Sequence, residues 1–90
     1  MGSDYYQIEF TDLAIEHLQF WQKSGQQIIL RKIEQLIDSI RITPTEGIGK
    51  PEMLKHELAG KYSRRINKEH RIIYKIDNTT IYILSLKGHY

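Results

Sequence analysis

The 90-residue chain has no cysteine, only two prolines and a single tryptophan. Without thiols it has no disulfide framework, no thiolate metal site and no cysteine nucleophile. No apolar run approaches the roughly 18 residues of a membrane-spanning helix, and the amino end lacks a signal-peptide pattern, so the expected compartment is the cytoplasm. No histidine–carboxylate spacing matches a metal-ligand motif, so neither a metal nor another cofactor is expected. Internal repeats, linkers and low-complexity segments are missing as well. Nor is there a large excess of one charge: 13 Lys and Arg stand against 11 Asp and Glu, a net +2.

What is present is ordinary in bulk and uneven in distribution. With 40% apolar and 27% charged residues the chain falls in the globular range. Its length suits one small domain with a single core. We expect residues 1–4 to be a disordered or expression-derived start and 5–90 to be that domain. Residues 1–49 carry four Lys/Arg and seven Asp/Glu, a net −3, whereas residues 50–90 carry nine and four, a net +5. Such asymmetry fits an anionic partner, and equally a basic half-surface with no specific role.

Periodicity orders the elements. Tyr5 to Phe10 is rich in β-branched and aromatic residues and predicts a short first strand. Thr11 is a candidate N-cap, with Asp12 in the first turn and Phe10 and Ile15 at the positions of a hydrophobic staple. Ala14, Leu18 and Trp21 then recur at helical spacing until Ser24-Gly25. A second helix buries Ile29, Ile33, Leu36, Ile37 and Ile40 on one stripe and ends before Thr43-Pro44. Residues 43–51 read as a loop. Beyond it the period becomes two: Leu54 to Leu58, Tyr62 to Asn67, His70 to Ile76 and Thr80 to Leu86 are predicted strands joined by tight turns. The expected fold is α+β: one short strand, two helices, then an antiparallel β-meander, with the helices on one sheet face.

Alternation sorts the strand residues. With Leu54, Leu58, Ile66, Ile72, Tyr74 and Ile76 inward, Lys55, Ser63, Arg65 and Arg71 fall on the face away from the helices. That face is either a plain solvated surface or an anion site, and alternation leaves both open. Near it lie Glu52, Glu69 and the closing pair His89-Tyr90. RNA can be cut by attack of its own 2′-hydroxyl on the adjacent phosphate. That reaction takes a base, an acid and fixed cations for the growing phosphate charge, roles that a carboxylate, an imidazole and Arg/Lys residues fill. Arginine suits phosphate through its planar fork. The other histidines have plainer readings: His17 packs or lies on the surface of a helix, and His56, sharing the parity of Leu54 and Leu58, is expected in the core or at its boundary.

The string from Gly47 to Tyr74, GIGKPEMLKHELAGKYSRRINKEHRIIY, resembles the signature of the YoeB/Txe toxins, a family of the RelE superfamily of bacterial toxin–antitoxin modules. His89-Tyr90 matches the chain end of that family, and Trp21-Gln22, Thr43-Pro44 and Glu46-Gly47 fit its pattern. The resemblance implies a RelE-like fold and a ribosome-dependent messenger-RNA endonuclease acting in the decoding site without metal. It implies Glu52 as general base and His89 as general acid, with Arg65 and Arg71 supporting the phosphate and Lys55, Glu69 and Tyr90 completing the site. Lys50 and Tyr62 are candidate substrate contacts. Tyr62 stands where the family usually has Trp, which keeps an aromatic surface able to stack on a base. Implied partners are a YefM/Axe-like antitoxin, the 70S ribosome with its messenger, operator DNA through the antitoxin complex alone, and a second copy in a homodimer, with no membrane. Two rivals use the same fold: a non-catalytic RNA- or ribosome-binding module, and an inhibitor of another target such as a topoisomerase.

Overall fold

The computed structural model describes residues 5–88, so the expectation for residues 1–4 lies outside the described residues. The elements run β1 (Gln7–Phe10), α1 (Asp12–Lys23), α2 (Gln27–Ile42), β2 (Glu52–Met53), a 3-10 turn (His56–Leu58), β3 (Lys61–Arg65), β4 (Arg71–Asp77) and β5 (Thr80–Ser85). The five strands form one mixed sheet in the order β1-β5-β4-β3-β2. β2 to β5 pair antiparallel, as the meander reading expects, and β1 adds parallel to β5 at the far edge. No helix among the described residues is long and apolar enough to cross a membrane.

Each helix starts and stops for local reasons. The Thr11 hydroxyl accepts from the Ala14 N–H, capping α1, and the same side chain lies 3.1 Å from the Ile83 carbonyl of β5. Gly25, at a φ of 70°, makes the turn between the helices. Ile29, Ile33, Leu36 and Ile40 are buried along α2 and meet Ala14 and Trp21 of α1. Below them lie Ile72 and Tyr74 of β4 and Ile81 and Ile83 of β5, which completes the core. Ile15 of the expected staple stays 41% exposed.

The predicted strand over 54–58 is not formed. Leu54 is buried and its N–H still reaches the Lys61 carbonyl at 2.8 Å, but the chain then leaves the sheet. His56 takes a φ of 60°, which no strand can hold, so residues 56–58 wind into the 3-10 turn. His56 is therefore exposed rather than inward. The regular leucine spacing reflected two separate inward points on an irregular segment. β3 also stops earlier than expected, at Arg65, because the N–H groups of Ile66 and Asn67 both turn to the His70 carbonyl. The Asn67 side-chain oxygen accepts from Glu69 and His70, making the tight turn expected at Lys68-Glu69.

Arg64 is fully buried beneath this sheet. A guanidinium has five N–H donors, and all five are used here. Nε donates to the Tyr74 hydroxyl at 3.0 Å. Nη1 donates to Ser39 Oγ at 2.7 Å and the Ile48 carbonyl at 3.1 Å. Nη2 donates to the carbonyls of Thr43 at 2.6 Å and Glu46 at 2.8 Å. The Tyr74 hydroxyl in turn donates to the Pro44 carbonyl at 2.7 Å. Burial pushes the Tyr74 phenol pKa up, with the neighbouring Arg64 opposing the shift. The 43–48 segment is thus held from below by one side chain. Gly49 lies so close to it that a Cβ would sit 2.6 Å from Leu36 Cδ2 and 3.1 Å from Arg64 Cβ.

Replacing Arg64 by leucine strips the donor from three part-buried carbonyls and two hydroxyls. A loss on the order of 3–5 kcal/mol in urea unfolding is expected, with a smaller loss for Arg64→Lys, which keeps the charge but offers three donors. A loss for Arg64→Leu below about 1 kcal/mol would show that the loop holds itself.

Candidate functional site

The loop that Arg64 holds runs on as the outer edge of the sheet. The Arg65 N–H donates to the Gly49 carbonyl at 2.7 Å, and three residues later Glu52 pairs opposite Ser63. Across β3 and β4, Arg65 stands opposite Arg71 and Ser63 opposite Ile73. Glu52, Ser63, Arg65, Arg71 and Ile73 therefore share the face away from the helices. Two guanidinium side chains directly opposed on one face repel each other. The Glu52 carboxylate lies against one of them, Oε1 3.8 Å from Arg71 Nη1. With the side chains 64% and 25% exposed, this loose pair adds at most about 1 kcal/mol of stability. Its carboxylate stays largely in water.

The remaining sequence-derived candidates scatter around this pair. Lys50 is exposed on the loop with a φ of 53°, and it lines a cavity with Arg65. Lys55 is exposed at the head of the 3-10 turn, not on a strand, so alternation does not place it with Arg65 and Arg71. Glu69 lies in the β3–β4 turn, beside Trp21, His70 and Lys87. Tyr62 is not brought to this face. It pairs opposite Tyr74 and stacks on that ring, centroids 5.8 Å apart, half-buried against the core. His89 and Tyr90 lie outside the described residues.

The far face is also less uniform than alternation suggests. Ser63 is fully buried there, not solvated. A cavity of about 370 Å³ opens nearby between Leu13, Leu58, Ile73 and Leu84, with Lys61 and Lys87 at its lining. The 3-10 turn brings Leu58 to this cavity, so part of the face is apolar.

Three residues to which the sequence reading gave no part in the site, His17, Trp21 and His70, hold the end of the described chain. The Trp21 indole N–H donates to the Leu86 carbonyl at 2.9 Å, and the Leu86 N–H donates to His17 Nδ1 at 3.0 Å. The Gly88 N–H donates to His70 Nδ1 at 2.8 Å, while the Gly88 carbonyl accepts from the Arg71 N–H at 2.9 Å. His70 also packs edge-on against Trp21, centroids 4.7 Å apart. Gly88 is thereby tied to the backbone of Arg71. The pairing of His17 with residue 86 depends on the fold alone, and no sequence signal marks it.

A helical pair on one side of a five-stranded mixed sheet is the fold of solved toxins from bacterial toxin–antitoxin modules, and the chain is of that class. More narrowly, the chain belongs to the family of YoeB-like toxins of bacterial type II toxin–antitoxin systems, whose family model matches residues 10–90. It is 45% identical over 71 residues to the toxin YoeB of Escherichia coli K12, covering 79% of this chain and 83% of the relative. The structure of the YoeB dimer from Staphylococcus aureus is similar, with a TM-score of 0.86 and 44% identity over 96% of this chain and 99% of that one. So is the YoeB–YefM complex of the same organism, with a TM-score of 0.84 and 44% identity over 94% of this chain and 98% of that one.

His17 generates a pH dependence. Its Nδ1 accepts the Leu86 N–H, which requires a neutral ring. Burial holds its pKa below the usual 6.5, the Lys87 cation adds to this, and Glu16 opposes it. Below about pH 6.5 the unfolded chain therefore binds the proton more readily than the folded one, and stability falls as pH drops. Unfolding midpoints measured between about pH 7.5 and 5.5 should fall for the wild type and flatten in His17→Asn, whose amide oxygen can stand in for Nδ1. An equal slope in both proteins would assign the dependence to another group.

Proposed function

We propose that this toxin is a ribosome-dependent endoribonuclease that cuts messenger RNA in the decoding site and so stops translation in the cytoplasm. The observation that carries the reading is the Glu52 carboxylate beside Arg71, on the face it shares with Arg65. Glu52 takes the proton of a 2′-hydroxyl, whose oxygen attacks the adjacent phosphorus. The bond from phosphorus to the 5′-oxygen breaks, and His89 protonates the leaving oxygen. The products are a 2′,3′-cyclic phosphate and a 5′-hydroxyl end. Arg65 and Arg71 balance the charge that builds on the non-bridging oxygens, which is where fixed cations lower a barrier most. Lys55, Lys50, Glu69 and Tyr90 surround the substrate. This chemistry draws its base and acid from side chains and calls on no metal. Tyr62, turned to the core, takes no part in it.

The link between Gly88 and the Arg71 backbone supports the reading, since His89 is the next residue. The Staphylococcus aureus dimer and YoeB–YefM complex support two partners, a YefM-like antitoxin and a second copy in a homodimer, and the family resemblance adds that the antitoxin complex represses the operon. The non-catalytic alternative predicts ribosome binding without cuts.

Mapping of messenger 5′ ends with and without ribosomes decides between them. Cuts are expected only where the decoding site is vacant. Glu52→Ala and His89→Ala should each lower the cleavage rate about 10²- to 10⁴-fold while ribosome affinity changes little. Full-rate cutting by both variants would refute the acid–base assignment. Binding without cutting by the wild type would favour the non-catalytic module.

A further inference from the structure

Where β3 ends, the sheet meets α2 at a second cavity, about 370 Å³ in volume. Lys32 of α2, Lys50 of the loop, Arg65 at the end of β3 and Lys68 of the β3–β4 turn all line it. The lining includes no carboxylate. Among the described residues none of the four cations is in an ion pair, the recorded pair being Arg71 with Glu52. The groove between α1 and α2 behaves differently, since Arg31 and Arg41 there are matched by Glu34 and Asp38.

The neutral lining residues add donors, not acceptors. Asn67 lines the cavity, and its side-chain oxygen is already committed to the N–H groups of Glu69 and His70, so it has only its amide donors to offer. The Gly49 carbonyl is likewise committed, to the Arg65 N–H. Ile66, buried, and Gly49 give the cavity an apolar side, so the charged groups at its lining are the lysines and the arginine. Four cations from four separate segments, with no counter-charge among the described residues that line the cavity, make a site whose mutual repulsion an entering anion relieves.

We propose that this cavity is a second phosphate subsite, which holds a phosphodiester group of RNA beside the one at Glu52, Arg65 and Arg71. Arg65 borders both, so one strand can run from the first to the second. The inference rests on the RNA-cleaving reading and deepens it by adding Lys32 and Lys68, on the side of the protein facing α2. The same phosphodiester chemistry is available from a messenger or from ribosomal RNA. Lys32 and Lys68 act in binding and take no part in the proton transfers.

The test uses the full chain with Lys32→Gln and Lys68→Gln combined. Both side chains reach solvent, so the fold is expected to survive, with an unchanged unfolding midpoint as the check. Binding is measured to a short single-stranded oligoribonucleotide carrying 2′-methoxy groups throughout, which cannot be cut, and to vacant ribosomes, each across about 50–200 mM salt. Loss of the one phosphate held there should reduce the slope of log affinity against log salt by about 0.7 and weaken binding about tenfold or more at low salt. Cleavage of ribosome-bound messenger should show the loss in KM, with kcat within about twofold of wild type. A reduced slope on the oligonucleotide assigns the phosphate to the messenger. A reduced slope on ribosomes alone assigns it to ribosomal RNA. Either outcome supports the subsite.

Unchanged slopes on both, with a wild type that cuts, overturn the subsite and leave the nuclease reading standing. A reduced slope with a wild type that never cuts overturns the nuclease reading and keeps the subsite. A variant that loses affinity for an acidic antitoxin peptide and none for RNA overturns the subsite in favour of a peptide site. A wild type that neither binds RNA nor cuts it overturns both.

Discussion

The buried guanidinium of Arg64 is the constraint on which the rest of the arrangement depends. A permanent charge removed from water is costly, and here no carboxylate offsets it; the compensation comes from neutral oxygens, four of its five acceptors on the 39–48 stretch. That requirement works in both directions. The loop cannot drift without leaving the charge unsatisfied, and the charge cannot be buried unless the loop closes on it. Because Gly49 and Glu52 follow directly, the position of the candidate base is set from beneath by a residue that never reaches the face where chemistry would occur. The neighbouring Arg65 points to that face. Alternation in one strand thus divides two adjacent arginines between holding the loop and lining the face of the candidate site.

A second set of contacts joins the acidic helical half to the basic sheet. His17 and Trp21 of α1 bond the backbone of Leu86, and His70 bonds that of Gly88. The helices therefore do more than cover the core. They fix the chain at Leu86, while His70 of the β3–β4 turn and the Arg71 backbone hold Gly88. The neutral ring that His17 needs also makes this clamp sensitive to acid.

Much of the architecture could be read in advance because it rests on short-range chemistry. Thr11, Gly25 and Thr43-Pro44 bound the helices as expected, and the α2 stripe is the buried face. Arg65 and Arg71 fall together because strand parity is a local property, whereas Glu52, read as a loop residue, joins them through the pairing of β2 with β3. The failures are equally specific. Leu54 and Leu58 imitate a strand, but the left-handed backbone at His56 ends it, which displaces Lys55 and exposes His56. Ser63 has the right parity for a solvated face and is buried all the same. Tyr62 shares the parity of Ile66, and its ring goes to Tyr74 rather than to a base.

By itself the sequence determined the helix limits, the meander and the residue types available for phosphate chemistry, since caps, turns and periodicity act over a few positions. It also determined family membership, through the uninterrupted string from Gly47 to Tyr74. Tertiary structure alone decided which side chains meet. The parallel pairing of β1 with β5, the Arg64 acceptors, the hold of His17 on residue 86 and the convergence of Lys32 with Lys68 all join segments far apart in the chain. Their geometry depends on how the layers pack, and no local pattern encodes it.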